Sequence, residues 1–92
     1  MAREDAQDQI DVVAQRDGRV VLVGECKWSR RPEDLRDLDG LGAALRKASG
    51  DLDPIDRPWR ALFARAGFAA DLLEHASDPA ERVLLYTPAD LY

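Results

Sequence analysis

Apolar positions along this chain switch period twice, and the switches mark its elements. Residues 1–8 are polar and acidic with no apolar period, and are expected to fray. Ile10-Asp11-Val12-Val13-Ala14 and Arg19 to Trp28 then read as strands. Arg16-Asp17-Gly18 lies between them, and Asp-Gly between two β-branched runs signals a hairpin. The second run is apolar up to Gly24, as suits a central strand covered on both faces. From Pro32 the period lengthens. Pro32 suits the first turn of a helix, with Glu33 and Asp34 at its positive end, and Leu35, Leu38, Leu41 and Leu45 form one stripe that Gly50 ends. Residues 51–58 (DLDPIDRP) read as a loop, Trp59 to Ala64 as a short strand and Arg65-Ala66-Gly67 as a turn. A short helix over Ala69 to Ala76 stops at Ser77-Asp78-Pro79, and Arg82 to Thr87 is a last strand ended by Pro88. The order β-β-α-β-α-β predicts an α/β fold: a mixed sheet made of a hairpin followed by two helical crossovers, flanked by helices.

Composition narrows the class. Ninety-two residues suit one domain spanning 1–92. A single cysteine, Cys26, excludes an internal disulfide and points to a reducing, cytoplasmic setting. One cysteine and one histidine, His75, exclude a thiolate–imidazole zinc site. No apolar run is long enough for a spanning helix, and MAREDAQDQ is too polar for a signal peptide. Thirteen Lys and Arg against 18 Asp and Glu give a net charge of −5, whereas a stand-alone nucleic-acid binder usually carries a basic face. Lys27, Arg30, Arg31 and Arg36 do cluster, but Glu33, Asp34 and Asp37 are interspersed, so spacing alone favours a solvated face.

Three polar groups interrupt the strands where burial is expected: Asp11, Glu25 and Lys27. Glu25 and Lys27 are two apart and share a face, opposite Gly24, Cys26 and Trp28. Charges at such positions are costly unless paired or ligating. A plain two-residue turn at Asp17-Gly18 pairs Asp11 with Gly24 and turns it away from Glu25. An odd-length loop, such as a type I turn with Gly18 left-handed, or one bulge brings all three to one face.

Asp11 followed by Glu25-Cys26-Lys27 on the next strand and then a helix resembles the PD-(D/E)xK nuclease superfamily, the restriction-endonuclease-like fold. IDVVA, LVGECKWS, the leucine-striped helix, LFARAGF and the final VLLY resemble the C-terminal nuclease-like domain of archaeal-type P-loop ATPases, over roughly residues 9 to 92. The resemblance implies DNA phosphodiester hydrolysis with Mg²⁺ or Mn²⁺. It implies Asp11, Glu25 and the main-chain carbonyl of Cys26 as metal ligands, and Lys27 as the residue that orients water and offsets charge. A divalent ion would polarise the phosphate, and Mg²⁺ prefers such hard oxygen donors. Arg30 and Arg31 are candidates for phosphate contact.

The chain departs from that pattern in lacking the helix and strand that precede the Asp-bearing strand in the superfamily, and in having Gln9 where this branch often has Glu. Glu4, Asp5 or Asp8 are the acids available to replace one carried by that helix. There is no P-loop. The chain therefore resembles a truncated core whose Ile10–Ala14 strand is an open edge, and a homodimer or docking on the rest of a longer ATPase chain is expected. The competing reading is a catalytically silent interaction or dimerisation domain on the same scaffold. Outside the cluster, Cys26 reads as a small buried side chain, His75 as a helix-end or surface residue, and Trp28 and Trp59 as core or rim aromatics.

Overall fold

The hairpin forms where the Asp-Gly signal puts it. Asp17 and Gly18 both take positive φ, 53° and 81°, as a two-residue turn of the I′ kind requires. They join β1 (Val12–Arg16) to an antiparallel β2 (Arg19–Lys27). Beside the turn Arg16 faces Arg19 and Gln15 faces Val20, but Ala14 faces Leu22, which leaves Val21 as an extra residue in β2. This bulge shifts the earlier part of β1 by one residue against its partner. The computed structural model describes residues 10–48 and 50–91; the readings for residues 1–8 and for Gln9 fall outside them.

After β2 come α1 (Leu35–Ala48), β3 (Pro54–Ala64), α2 (Ala70–Ala76), a 3₁₀ turn (Pro79–Glu81), β4 (Val83–Tyr86) and the short α3 (Pro88–Leu91). The four strands form one sheet in the order β1-β2-β3-β4, antiparallel in the first pair and parallel in the other two. The fold is α/β with a mixed sheet flanked by helices.

Several boundaries differ from the sequence reading, each for a local reason. α1 starts at Leu35, because Asp34 and Asp37 cap it reciprocally. The Arg36 amide donates to Asp34 Oδ1 at 2.9 Å, and the Asp34 amide donates to Asp37 Oδ2 at 2.8 Å. Glu33 lies outside the helix: its amide donates to the Gly67 carbonyl at 3.0 Å and its carbonyl accepts from Ala69 at 2.7 Å, a parallel bridge to Phe68. β3 extends back through the expected loop to Pro54. β4 pairs with β3 only over Arg60 to Phe63, so Pro54 and Pro58 lie on a one-sided stretch that tolerates a missing N–H. Pro88 opens a turn of helix as well as ending a strand, with the Thr87 amide donating to Asp90 Oδ2 at 2.7 Å.

The two faces of the sheet differ. Beneath the helices, Val20, Val23, Leu62 and Val83 meet Leu38, Leu41 and Leu72, and Leu35 and Leu45 of the stripe pack at the margin. Each fully buried Leu contributes about 1.5–3 kcal/mol. On the other face Cys26, Phe63 and Tyr86 stand in one row across β2, β3 and β4. The rings of Phe63 and Tyr86 stack 5.1 Å apart. Trp28, 70 % exposed, closes an apolar groove over this row.

Candidate active site

The bulge at Val21 decides which residues meet. Val12 is opposite Gly24, and Asp11, one residue before β1, donates its amide to the Gly24 carbonyl at 2.9 Å; continued by one step, this register puts Asp11 level with Glu25. Parity is met by a two-residue turn plus a bulge, and the left-handed Gly18 belongs to that turn. Asp11 is itself exposed, and its Oδ2 accepts the amide of Cys26 at 2.9 Å.

Glu25 is 1 % exposed. Its Oε2 lies 3.6 Å from Lys27 Nζ, and Oε1 is buried with no hydrogen-bond partner. Burial pushes the Glu25 carboxyl up to about 7, against the pull of Lys27 and with smaller repulsion from Asp11 and Glu33. Lys27 also reaches Asp37 Oδ1 at 3.8 Å, and Arg31 Nη2 donates to that oxygen at 3.1 Å. Lys27 is thus held between a carboxylate on its own strand and one on the first turn of α1.

The solvated-face reading of the acids fails for two of three. Asp37 is 8 % exposed and bound in the cap and ion pairs, while Glu33 is 1 % exposed with neither carboxylate oxygen partnered. Burial, then the neighbouring Asp37, raises the Glu33 carboxyl to about 7. Asp34 stays at the rim, where the Arg36 guanidinium holds its carboxyl down to about 2. Glu33 is the residue that sequence reasoning missed. Its only local signal is the Pro-Glu-Asp run, which reads as helix-start charge, whereas its burial comes from the bridge to Phe68 far along the chain.

The remaining predicted residues lie around this centre. Arg31 is committed to Asp34, Asp37 and the Pro32 carbonyl, and Arg30 is exposed on the bend before it. Cys26 is half-buried rather than sealed in a core, and burial together with Asp11 and Glu25 raises its thiol. His75 Nε2 pairs with Glu81 Oε1 at 3.2 Å in the last turn of α2, away from the acids.

Among the described residues no group of three or more His, Cys, Asp or Glu side chains is arranged to hold a metal. The smaller donor set of Asp11 and Glu25 with a main-chain carbonyl is of the hard-oxygen kind Mg²⁺ takes alongside water and substrate. Within that set Glu25 Oε1 is buried without a hydrogen-bond partner, and so is uncommitted to the rest of the fold. No described helix is long and apolar enough to cross a membrane. No family model, curated protein or solved structure matches the chain.

Proposed function

We propose that this chain is a PD-(D/E)xK nuclease-like domain that hydrolyses DNA phosphodiester bonds with Mg²⁺ or Mn²⁺ in the cytoplasm. The observation that carries the reading is the bulge at Val21, absent from a plain hairpin, which pairs Val12 with Gly24 and so sets the register that brings Asp11 level with Glu25, two residues before Lys27. When bound, the divalent ion polarises the phosphate and lowers the pKa of water. Asp11 and Glu25 would hold it, with the Cys26 carbonyl. The chain's own part is positional. Asp11 fixes the Cys26 amide, and with it the strand segment carrying Glu25 and Lys27. Asp37 and Glu25 aim the Lys27 ammonium, which orients the attacking water and offsets charge developing on the phosphate. Plasmid nicking with Mg²⁺ or Mn²⁺, wild type against Glu25→Ala, tests this. The reading requires metal-dependent nicking that the substitution removes, and chelator-insensitive nicking refutes it.

A second reading has its own observation. The apolar groove beneath Trp28 and the β1 edge, where Val13 is 42 % exposed, suit a silent domain that dimerises or docks on the rest of a longer ATPase chain. Sedimentation at micromolar concentration distinguishes the dimer, and absence of nicking in the wild type favours this reading.

A further inference from the structure

A second charged feature lies between the middle of α1 and the starts of β3 and β4. Arg46, Arg57, Arg60 and Arg82 line one open cleft of about 230 Å³. Four of the chain's eleven arginines thus share a single concavity in a protein of net charge −5. The cleft also carries Asp56, which is exposed, and Glu81, which His75 already engages at 3.2 Å.

The arginines are arranged and not merely adjacent. Arg57 Nη2 donates to the Ala80 carbonyl at 2.8 Å, and Arg82 Nη1 donates to the Arg57 carbonyl at 2.8 Å. These bonds stitch the two strand starts together and fix both guanidinium groups while leaving most of their five N–H donors unspent. Arg82 sits at φ 56°, ψ 52°, a left-handed conformation that costs a side chain about 1–3 kcal/mol. Gly42 on α1 opens the cleft floor: a Cβ there would lie 3.6 Å from an Arg46 Nη1 and 4.0 Å from Arg60 Nη1, so both guanidinium groups approach the same bare backbone. Arg60 is half-buried as a residue, and its guanidinium makes no hydrogen bond or ion pair with any described residue. A cation without a counter-ion, sharing a cleft with three more, calls for an anion.

We propose that this cleft is a binding site for a phosphate group, received by the Arg60 guanidinium with Arg46, Arg57 and Arg82 around it. Planar forks of donors match a tetrahedral oxyanion in bidentate fashion, as a lysine cannot. The phosphate belongs either to a nucleic-acid backbone or to a free phosphate or mononucleotide. The site is independent of hydrolysis at Glu25, and it is tested with chelator present so that cleavage plays no part.

The experiment follows arginine Nε–Hε NMR signals while inorganic phosphate, and separately a short DNA duplex, is added. Saturable shifts of Arg60 and Arg82 are expected with inorganic phosphate. Arg60→Gln should weaken phosphate binding about tenfold with no loss of stability, because it removes a cation that has no partner to lose. Arg82→Gly should weaken it too, while relief of backbone strain offsets the lost hydrogen bond. If the duplex binds more tightly than phosphate, with a salt dependence that Arg60→Gln reduces by about one ion, the source is a nucleic-acid backbone. If inorganic phosphate binds and the duplex gains nothing over it, the source is a free phosphate. Unshifted arginine signals with both ligands, or unchanged phosphate affinity in Arg60→Gln, overturn the proposal.

Discussion

The carboxylate of Asp11 accepts the main-chain amide of Cys26 at 2.9 Å, so the residue before β1 is tied to the middle of the Glu-Cys-Lys segment. This bond gives Asp11 two separable duties, one structural and one chemical. Asp11→Asn keeps an oxygen acceptor and removes the charge. We expect stability within about 1 kcal/mol of wild type, since the group is exposed, together with loss of metal-dependent nicking. Urea melts and plasmid nicking on the same preparation check both halves, and retained nicking would remove Asp11 from the proposed metal site.

Lys27 is bound into the fold as well as the site. Its ammonium lies within ion-pair distance of the buried Glu25 and Asp37. Lys27→Met should abolish nicking and also destabilise the chain by roughly 3 kcal/mol, because Glu25 is left buried without its counter-charge. The loss should be greater at pH 8 than at pH 5, where Glu25 takes up a proton. Adding Glu25→Gln should restore most of the stability and none of the activity. Denaturant titrations of the two single variants and the double variant measure this coupling.

Glu33 sets a pH dependence. Its carboxyl is raised to about 7 in the folded chain from an ordinary 4.5. The folded state therefore binds more protons than the unfolded state across that interval. Its contribution is fully present below about pH 4.5 and is lost as pH rises through 7. Glu33→Gln should leave stability nearly unchanged at pH 5 and raise it at pH 8 by on the order of 1–3 kcal/mol. Melting curves at the two pH values suffice, and equal effects at both would show that Glu33 does not titrate there.

Gly24 is a site of close approach. A Cβ there would lie 3.2 Å from the Ala61 carbonyl oxygen and 3.3 Å from both the Phe63 ring and Val12 Cβ. Gly24→Ala should cost about 1–3 kcal/mol through overpacking. Because Gly24 pairs with Val12 next to Asp11, hydrogen exchange should quicken at the Asp11 and Cys26 amides ahead of those in β3. Uniform protection would place the strain elsewhere.

What the sequence made legible is what short-range chemistry determines. Asp17-Gly18 specifies its turn within two residues, and the leucines of α1 need only a helical period to share a face. The Asp11, Glu25, Lys27 grouping was readable as a demand for a parity change, but the place of that change was not. Val20, Val21 and Leu22 are all apolar, and nothing local marks which one is surplus; pairing with β1 on one side and β3 on the other decides it. Glu33 stayed hidden because its burial depends on Gly67 and Ala69 closing over its backbone. The arginine cleft was equally invisible, since its members are spread from residue 46 to residue 82 and meet only through the sheet.

The surplus residue at Val21 also separates two kinds of length change in the hairpin. Loss of the Val21 codon would join Val20 to Leu22 and keep Ala14 opposite Leu22 and Val12 opposite Gly24, so the turn end of β2 would move against β3 while the start of the chain kept its register. Loss of a codon from β1, at Val13 for instance, would slide Asp11 one place along β2 and turn it to the other face, although every acid and base of the cluster would still be encoded. A deletion map of the hairpin would therefore show β1 as less dispensable than the bulge.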